Sequence, residues 1–341
     1  MTRTLIALFS GGLMFVALPA MAQIDLSGTG DMTALTISAD PHYPGPDSIV
    51  QLTAESPLLD LEHSDITWSV NGAPAGSGQS VRIPLGAIGE ETDVKVSVSG
   101  SSGSDSATLA LVPTSIDLLW EADSYVPPFY RGRAVPGSGS TIRVLAVPHF
   151  ASASGSEAPP STVDFTWKLN GAVDKAQSGI GESSAVFPAA ILYGSDIVDV
   201  VAETADGSRS GESSVSIRTQ GPQLVLYEDN PLFGIMYHRA VPSTSVASES
   251  ETSFAAVPYF ANAPSPNDPS LAYEWTVNDA SVSADPEDPS EITINAQSSG
   301  TANIALLISS PDDPFFSAFG SWQIAFSRSA VNGNDVFHSS P

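Results

Sequence analysis

Apolar and polar residues alternate with period two through most of the chain, and no stretch after Gln23 keeps a helical period over three turns. Such alternation marks strands with one face in a core and the other in water. The clearest strand is written three times. Asp65-Ile66-Thr67-Trp68-Ser69-Val70-Asn71-Gly72 returns as Asp164-Phe165-Thr166-Trp167-Lys168-Leu169-Asn170-Gly171, and more loosely as Tyr273-Glu274-Trp275-Thr276-Val277-Asn278-Asp279. Each copy stops at Asn-Gly or Asn-Asp, residues that tolerate the positive φ of a two-residue hairpin. The tryptophans stand roughly 100 residues apart, the length of a small β-sandwich.

A Trp in the middle of such a strand fills the space between two facing sheets. A ligand site has no need to recur at domain spacing, so Trp68, Trp167 and Trp275 are expected in three separate cores. The fold class predicted is all-β: three tandem immunoglobulin-like β-sandwiches over residues 23–113, 114–219 and 220–328, then a polar tail, 329–341. Late hairpins support the division, with Thr92–Val98 and Ser106–Leu111 in the first unit and Ile197–Ala202 and Ser213–Ile217 in the second. In the third, Ala302–Ile308 and Trp322–Phe326 play that part. Connections between units are a few residues long and lack a Gly/Ser tract, which predicts a semi-rigid rod.

Met1–Thr4 carries one basic residue, Leu5–Leu18 is apolar, and Ala20 and Ala22 precede Gln23. This reads as a signal peptide, 1–22, cut after Ala22, with an uncleaved anchor as the alternative. Either way the chain is expected to be exported: extracellular, at the cell surface or periplasmic, with no membrane insertion after cleavage. Cysteine is absent, which removes thiol catalysis, disulfides and zinc-thiolate sites. The formal charge is −26, a surface that repels nucleic acid and anionic headgroups.

Domains two and three share a further block that domain one lacks. Tyr125–Pro136, with Tyr125, Phe129, Tyr130 and Arg131, matches Pro231–Pro242, with Phe233, Tyr237 and Arg239. Its place early in each domain predicts a first strand broken by prolines, whose aromatics plug the seam to the preceding domain. The other reading is a ligand surface, since Tyr, Phe and Arg on irregular loops serve adhesion and sugar stacking.

Catalytic patterns are missing. His42, His63, His149, His238 and His338 fall in no metal-ligand spacing, and no Gly-x-Ser-x-Gly elbow occurs. The chain is therefore read as non-enzymatic, with no catalytic residue and no cofactor. Calcium is the one metal with candidate ligands: Asp285, Glu287, Asp288, Asp312 and Asp313 place hard oxygen donors on loops, without the spacing of a calcium loop.

The Trp-strand repeat, together with Leu118-Leu119-Trp120-Glu121-Ala122 and Tyr125-Val126-Pro127-Pro128-Phe129-Tyr130-Arg131-Gly132, resembles the exported triple-domain proteins of Candidate Phyla Radiation (Patescibacteria) bacteria. These are similar to tandem immunoglobulin-like or PKD-like modules. Where the PKD pattern has Gly-Asp-Gly after its Trp strand, this chain has Asn71-Gly72 and Asn170-Gly171. The resemblance implies an envelope location and brings no activity or site residues. The function expected is a surface spacer, adhesin or assembly component meeting a protein or glycan. The alternatives are a glycan- or calcium-binding module and a subunit of a pilus or export apparatus. Oligomeric state is left open.

Overall fold

The structure, a computed structural model, describes residues 35–151, 155–247 and 249–326. The segment read as a signal peptide and the polar tail lie outside the described residues. Among the described residues there is no α-helix, and the strands assemble into six sheets.

In the first domain, β1 (Thr36–Asp40), β2 (Ile49–Glu55) and β5 (Ser80–Pro84) form one sheet in that order. Its partner sheet runs β4 (Ala73–Ser77), β3 (Asp65–Val70), β6 (Thr92–Gly100), β7 (Gly103–Leu111). The second domain pairs β8 (Ser115–Asp123), β9 (Thr141–His149) and β13 (Ser184–Pro188). Opposite them lie β11 (Ala172–Val173), β10 (Val163–Leu169), β14 (Ser195–Thr204) and β15 (Ser210–Arg218), with β12 (Gly179–Ile180) also on β10. The third domain orders β17 (Gly234–Ala240), β16 (Gln223–Asn230), β19 (Glu251–Tyr259) and β22 (Glu291–Asn295) in one sheet. Its other sheet is β18 (Thr244–Ala247), β24 (Ser317–Phe326), β23 (Gly300–Ser309), β20 (Ala272–Val277) and β21 (Ala280–Val282), where β18 alone runs parallel to its neighbour.

If the shared strand positions are named A, B, C, C′, E, F and G in chain order, then A, B and E make one sheet and C′, C, F and G the other. That is the immunoglobulin-like sandwich, three times over. Each repeated Trp sits on strand C at 2 % exposure or less, in a core cluster of its own. The indole N–H of Trp68 donates to the carbonyl of Gly78 (2.8 Å), that of Trp167 to Glu182 (2.8 Å) and that of Trp275 to Pro289 (3.0 Å). Each acceptor stands two residues ahead of strand E, so the indole ties strand C of one sheet to the start of a strand in the other. A buried indole needs such a partner, because an unpaired donor in a core costs about 1–3 kcal/mol.

The asparagine that ends each Trp strand has a second duty besides its turn. Asn71, Asn170 and Asn278 have φ of 50°, 51° and 48°, and the next residue is also left-handed in each case. Each backbone N–H donates to a strand-F carbonyl, that of Asp93, Ile197 or Asn303 (2.8 Å in all three). The side-chain Oδ1 then accepts the N–H of that same residue at 2.9 Å. This clamp explains Asn where the PKD pattern has another residue. Asn71→Ala should lower the stability of the first domain by about 2 kcal/mol, from the lost hydrogen bond and an alanine forced into a left-handed position. Asn71→Gly should lose only the bond. Thermal melts of the two variants check this, and equal melting of both with the parent would contradict the clamp.

The proline-aromatic blocks do not break the first strand, contrary to expectation. β8 pairs with β9 without interruption from Ser115↔His149 to Asp123↔Thr141. The block is instead the A–B connection, which runs over 41–48 in the first domain, 124–140 in the second and 231–250 in the third. The third domain folds part of it into β17 and β18. The first domain lacks the block because its connection is a short turn.

Candidate functional site

Strand parity decides where the blocks point. With A, B, C, C′, E, F and G alternating in direction, the A–B and E–F connections lie at the pole where strand G hands the chain to the next domain. The B–C, C′–E and F–G connections lie at the opposite pole. The block of the second domain therefore faces the third domain and not the first, which corrects the expectation of a seam to the preceding domain.

The contacts follow this rule, except that in the third domain β17 folds back along β16 and returns Tyr237 and His238 to the second domain. At the first seam, a Cβ built on Gly89 in the E–F turn would lie 2.8 Å from the carbonyl oxygen of Ala151 in the next B–C connection. Tyr43, in the A–B turn, has its phenol raised by burial and then by Glu212 and Glu203 of the second domain.

The second seam is far more elaborate. Ser124 Oγ donates to the carbonyl of Val135 (2.6 Å), closing the neck of the loop, and the Arg133 guanidinium lies 4.5 Å over the ring of Trp120. The loop's first residues then reach across. Tyr125 N–H donates to Ala261 O (2.8 Å), and Phe260 N–H donates to Tyr125 O (2.7 Å). These two reciprocal main-chain bonds join the domains as a short bridge. Around it six of the chain's eight tyrosines gather: Tyr125 and Tyr130 from domain two, with Tyr227, Tyr237, Tyr259 and Tyr273 from domain three. The hydroxyls of Tyr227 and Tyr259 meet at 2.7 Å, and the ring of Tyr237 stands edge-on to that of Tyr227 at 5.5 Å between centroids. Tyr130 stands edge-on to Tyr259 (5.8 Å between centroids) and Phe260 (6.0 Å). From the E–F side, Tyr193 Oη donates to the carbonyl of Phe315 (2.8 Å).

Of the residues singled out in sequence, the structure brings Tyr125, Tyr130 and Tyr237 into this cluster. Phe129 and Arg131 lie at the loop tip and line a cleft of about 600 Å³ with Pro127, Pro128, Ile235 and His238. Phe233 is elsewhere, 77 % exposed at the tip of the β16–β17 turn, where Asn230 Oδ1 accepts its N–H. It makes no seam. Arg239 lies on β17 and lines a smaller neighbouring cleft of about 200 Å³. The partners Tyr259 and Phe260 and the bridge at Ala261 were missed in sequence; the repeated Pro-aromatic motif that ends β19 was their one signal.

The acidic candidates sit on two connections of the third domain. Asp285 Oδ1 accepts the N–H of Glu287 (3.0 Å) and Asp288 Oδ1 accepts from Asn267 Nδ2 (2.8 Å). Asp312 and Asp313 belong to the F–G connection and border a second seam cleft of about 410 Å³, opposite Ser138 and Ile191. Among the described residues, no three of His, Cys, Asp and Glu come together as a metal site.

Burial holds the phenols of Tyr125, Tyr259 and Tyr273 above their ordinary value near 10. Because the folded state keeps the proton more tightly than the unfolded chain, the stability linked to it is complete below pH 10 and is lost as pH rises beyond that. Absorbance at 295 nm should therefore show these tyrosines ionising only as near-UV circular dichroism collapses. Tyrosines that all titrate as free phenols, with the dichroism intact, would refute the buried cluster.

No family model matches the chain, and no curated protein matches it. Solved structures do. The fibronectin(III)-like modules of Clostridium thermocellum CbhA are 12 % identical, with 54 % of this chain and 94 % of theirs covered, at a TM-score of 0.27. Three N-terminal domains of the bacteriophage RB49 outer capsid protein Hoc are 11 % identical, covering 86 % and 98 %, at 0.24. The central fibronectin-III array of RIM-binding protein is 12 % identical, covering 86 % and 96 %, at 0.29. Likeness at this level carries no argument about activity. Among the described residues, no helix is long and apolar enough to cross a membrane.

Proposed function

We propose that the chain is an exported, non-enzymatic spacer of the cell envelope, in which domains two and three act as one stiff unit. The observation that carries this is the pair of reciprocal main-chain bonds at Tyr125, set inside the tyrosine cluster. A seam held only by a linker and side chains would leave relative domain motion as the default. Export is supported by the N-terminal pattern of basic, apolar and small residues.

The absence of native cysteine makes the test clean. Spin labels on Lys175→Cys and Glu274→Cys, exposed sites in domains two and three, should give one narrow distance distribution. A broad one would overturn the spacer reading.

A further inference from the structure

The larger cleft of the second seam has a charge character opposite to that of the molecule around it. The chain carries 38 Asp and Glu against 12 Lys and Arg, yet none of the residues lining this cleft is acidic, and Arg131 and His238 face into it. Arg239 follows His238 on β17. Among the described residues, neither Arg131 nor Arg239 has an ion-pair or hydrogen-bond partner, whereas Arg143 is held by Glu121 and Arg209 by the carbonyl of Ala151. Carboxylates do stand nearby, outside the lining: Glu228 borders the smaller cleft, and Asp229 and Glu291 act on Tyr237.

The aromatic component is equally specific. Phe129 is 93 % exposed and has a φ of 66°. A left-handed conformation strains a bulky residue, and such strain gathers at functional positions. Nothing in the core gains from it, because the ring is in water. Beside it the rings of Tyr130, Tyr237 and Tyr259 supply further flat surface, and the cleft's volume falls in the range of small-ligand sites.

We infer that this cleft binds a carboxylated polysaccharide, one built of uronic-acid units. The apolar C–H faces of pyranose rings lie on Phe129 and the tyrosines, and Arg131 takes a carboxylate in two parallel charge-assisted hydrogen bonds. An acidic peptide is disfavoured because Pro127 and Pro128 form one wall of the cleft, and proline offers no N–H to a peptide backbone. Repulsion from the acidic remainder of the chain is screened beyond about 8 Å at physiological salt. The inference rests on the closed seam, because the two walls belong to different domains.

Calorimetric titration of the chain lacking residues 1–22 tests it with hexasaccharides of alginate and polygalacturonate, with cellohexaose and hexaglutamate as comparisons. Binding of an acidic hexasaccharide is expected, weakened at least tenfold by Arg131→Gln and about fivefold by Phe129→Ala, and weakened again on raising salt from 50 to 500 mM. Absence of binding to both acidic sugars, equal binding of both variants and the parent, or equal binding of cellohexaose or hexaglutamate would each overturn it. Should either variant fail to fold, the salt dependence and the comparison ligands on the parent chain decide. The spin-label distance separates the two readings: lost binding with a narrow distance sinks the site alone, and a broad distance sinks the spacer.

Discussion

Trp167→Ala is expected to destabilise the second domain by about 4 kcal/mol, within the usual range for truncating a buried Trp. The side chain is fully buried, stands edge-on to Phe187 at 6.3 Å between centroids, and donates to the carbonyl of Glu182. Alanine leaves a cavity between the sheets and an unpaired carbonyl at the start of β13. A domain of this size is stable by about 5–15 kcal/mol, so the loss consumes a large part of its margin. The other domains have cores of their own and should be spared. Differential scanning calorimetry should show one transition moving far down and the rest staying in place. Trp167→Phe keeps some of the volume but loses the bond, and about half the effect is expected. If Trp167→Ala melted like the parent, the indole would not be the tie between sheets that its geometry makes it.

Gly137→Ala should open the seam between domains two and three while leaving each sandwich folded. A Cβ there would clash with the carbonyl oxygen of Phe260. That oxygen cannot swing away easily, because the N–H of Phe260 is held by Tyr125 O and the carbonyl of Ala261 by Tyr125 N–H. The clash is with backbone, so relief requires the domains to separate. Spin-label distances across the seam should broaden, while the individual melting transitions shift by no more than about 0.5 kcal/mol, as for a change outside the cores. Gly45→Ala, with nothing within 4 Å of the added carbon, is the silent comparison. An unchanged distance in Gly137→Ala would mean that the seam yields without opening.

The two variants probe different levels of legibility. Trp167 could be placed from the sequence because burial on one strand face follows from period-two alternation, a local property of the chain. The Glu182 carbonyl that receives its N–H could not, since nothing about Glu182 marks its backbone as an acceptor. Asn170 was legible as a turn residue from its tolerance of positive φ; its clamp on Ile197 depends on a strand 27 residues away. For the second domain's block the seam was read with the wrong partner, whereas Tyr237 of the third domain's block does meet the preceding domain. Tyr125 and Tyr130 were singled out correctly as aromatics in need of a surface, but composition does not say which neighbour provides it. Phe233 has the same composition around it and ends in water. Its block forms the β16–β17 hairpin, which carries the ring to the tip.

What the sequence determined by itself was the fold class and the repeat. Alternation, turn residues and one large core residue per hundred or so positions act over short stretches, and each stretch carries its whole signal. What only the tertiary structure decided was direction and company. The order of strands in the sheets sends the second domain's A–B connection to the exit pole, where Tyr125 meets Ala261 and where Arg131 shares a cleft with His238, which β17 carries back to the domain boundary. Those pairings join residues more than a hundred positions apart, and they exist only once both sandwiches have closed and come together.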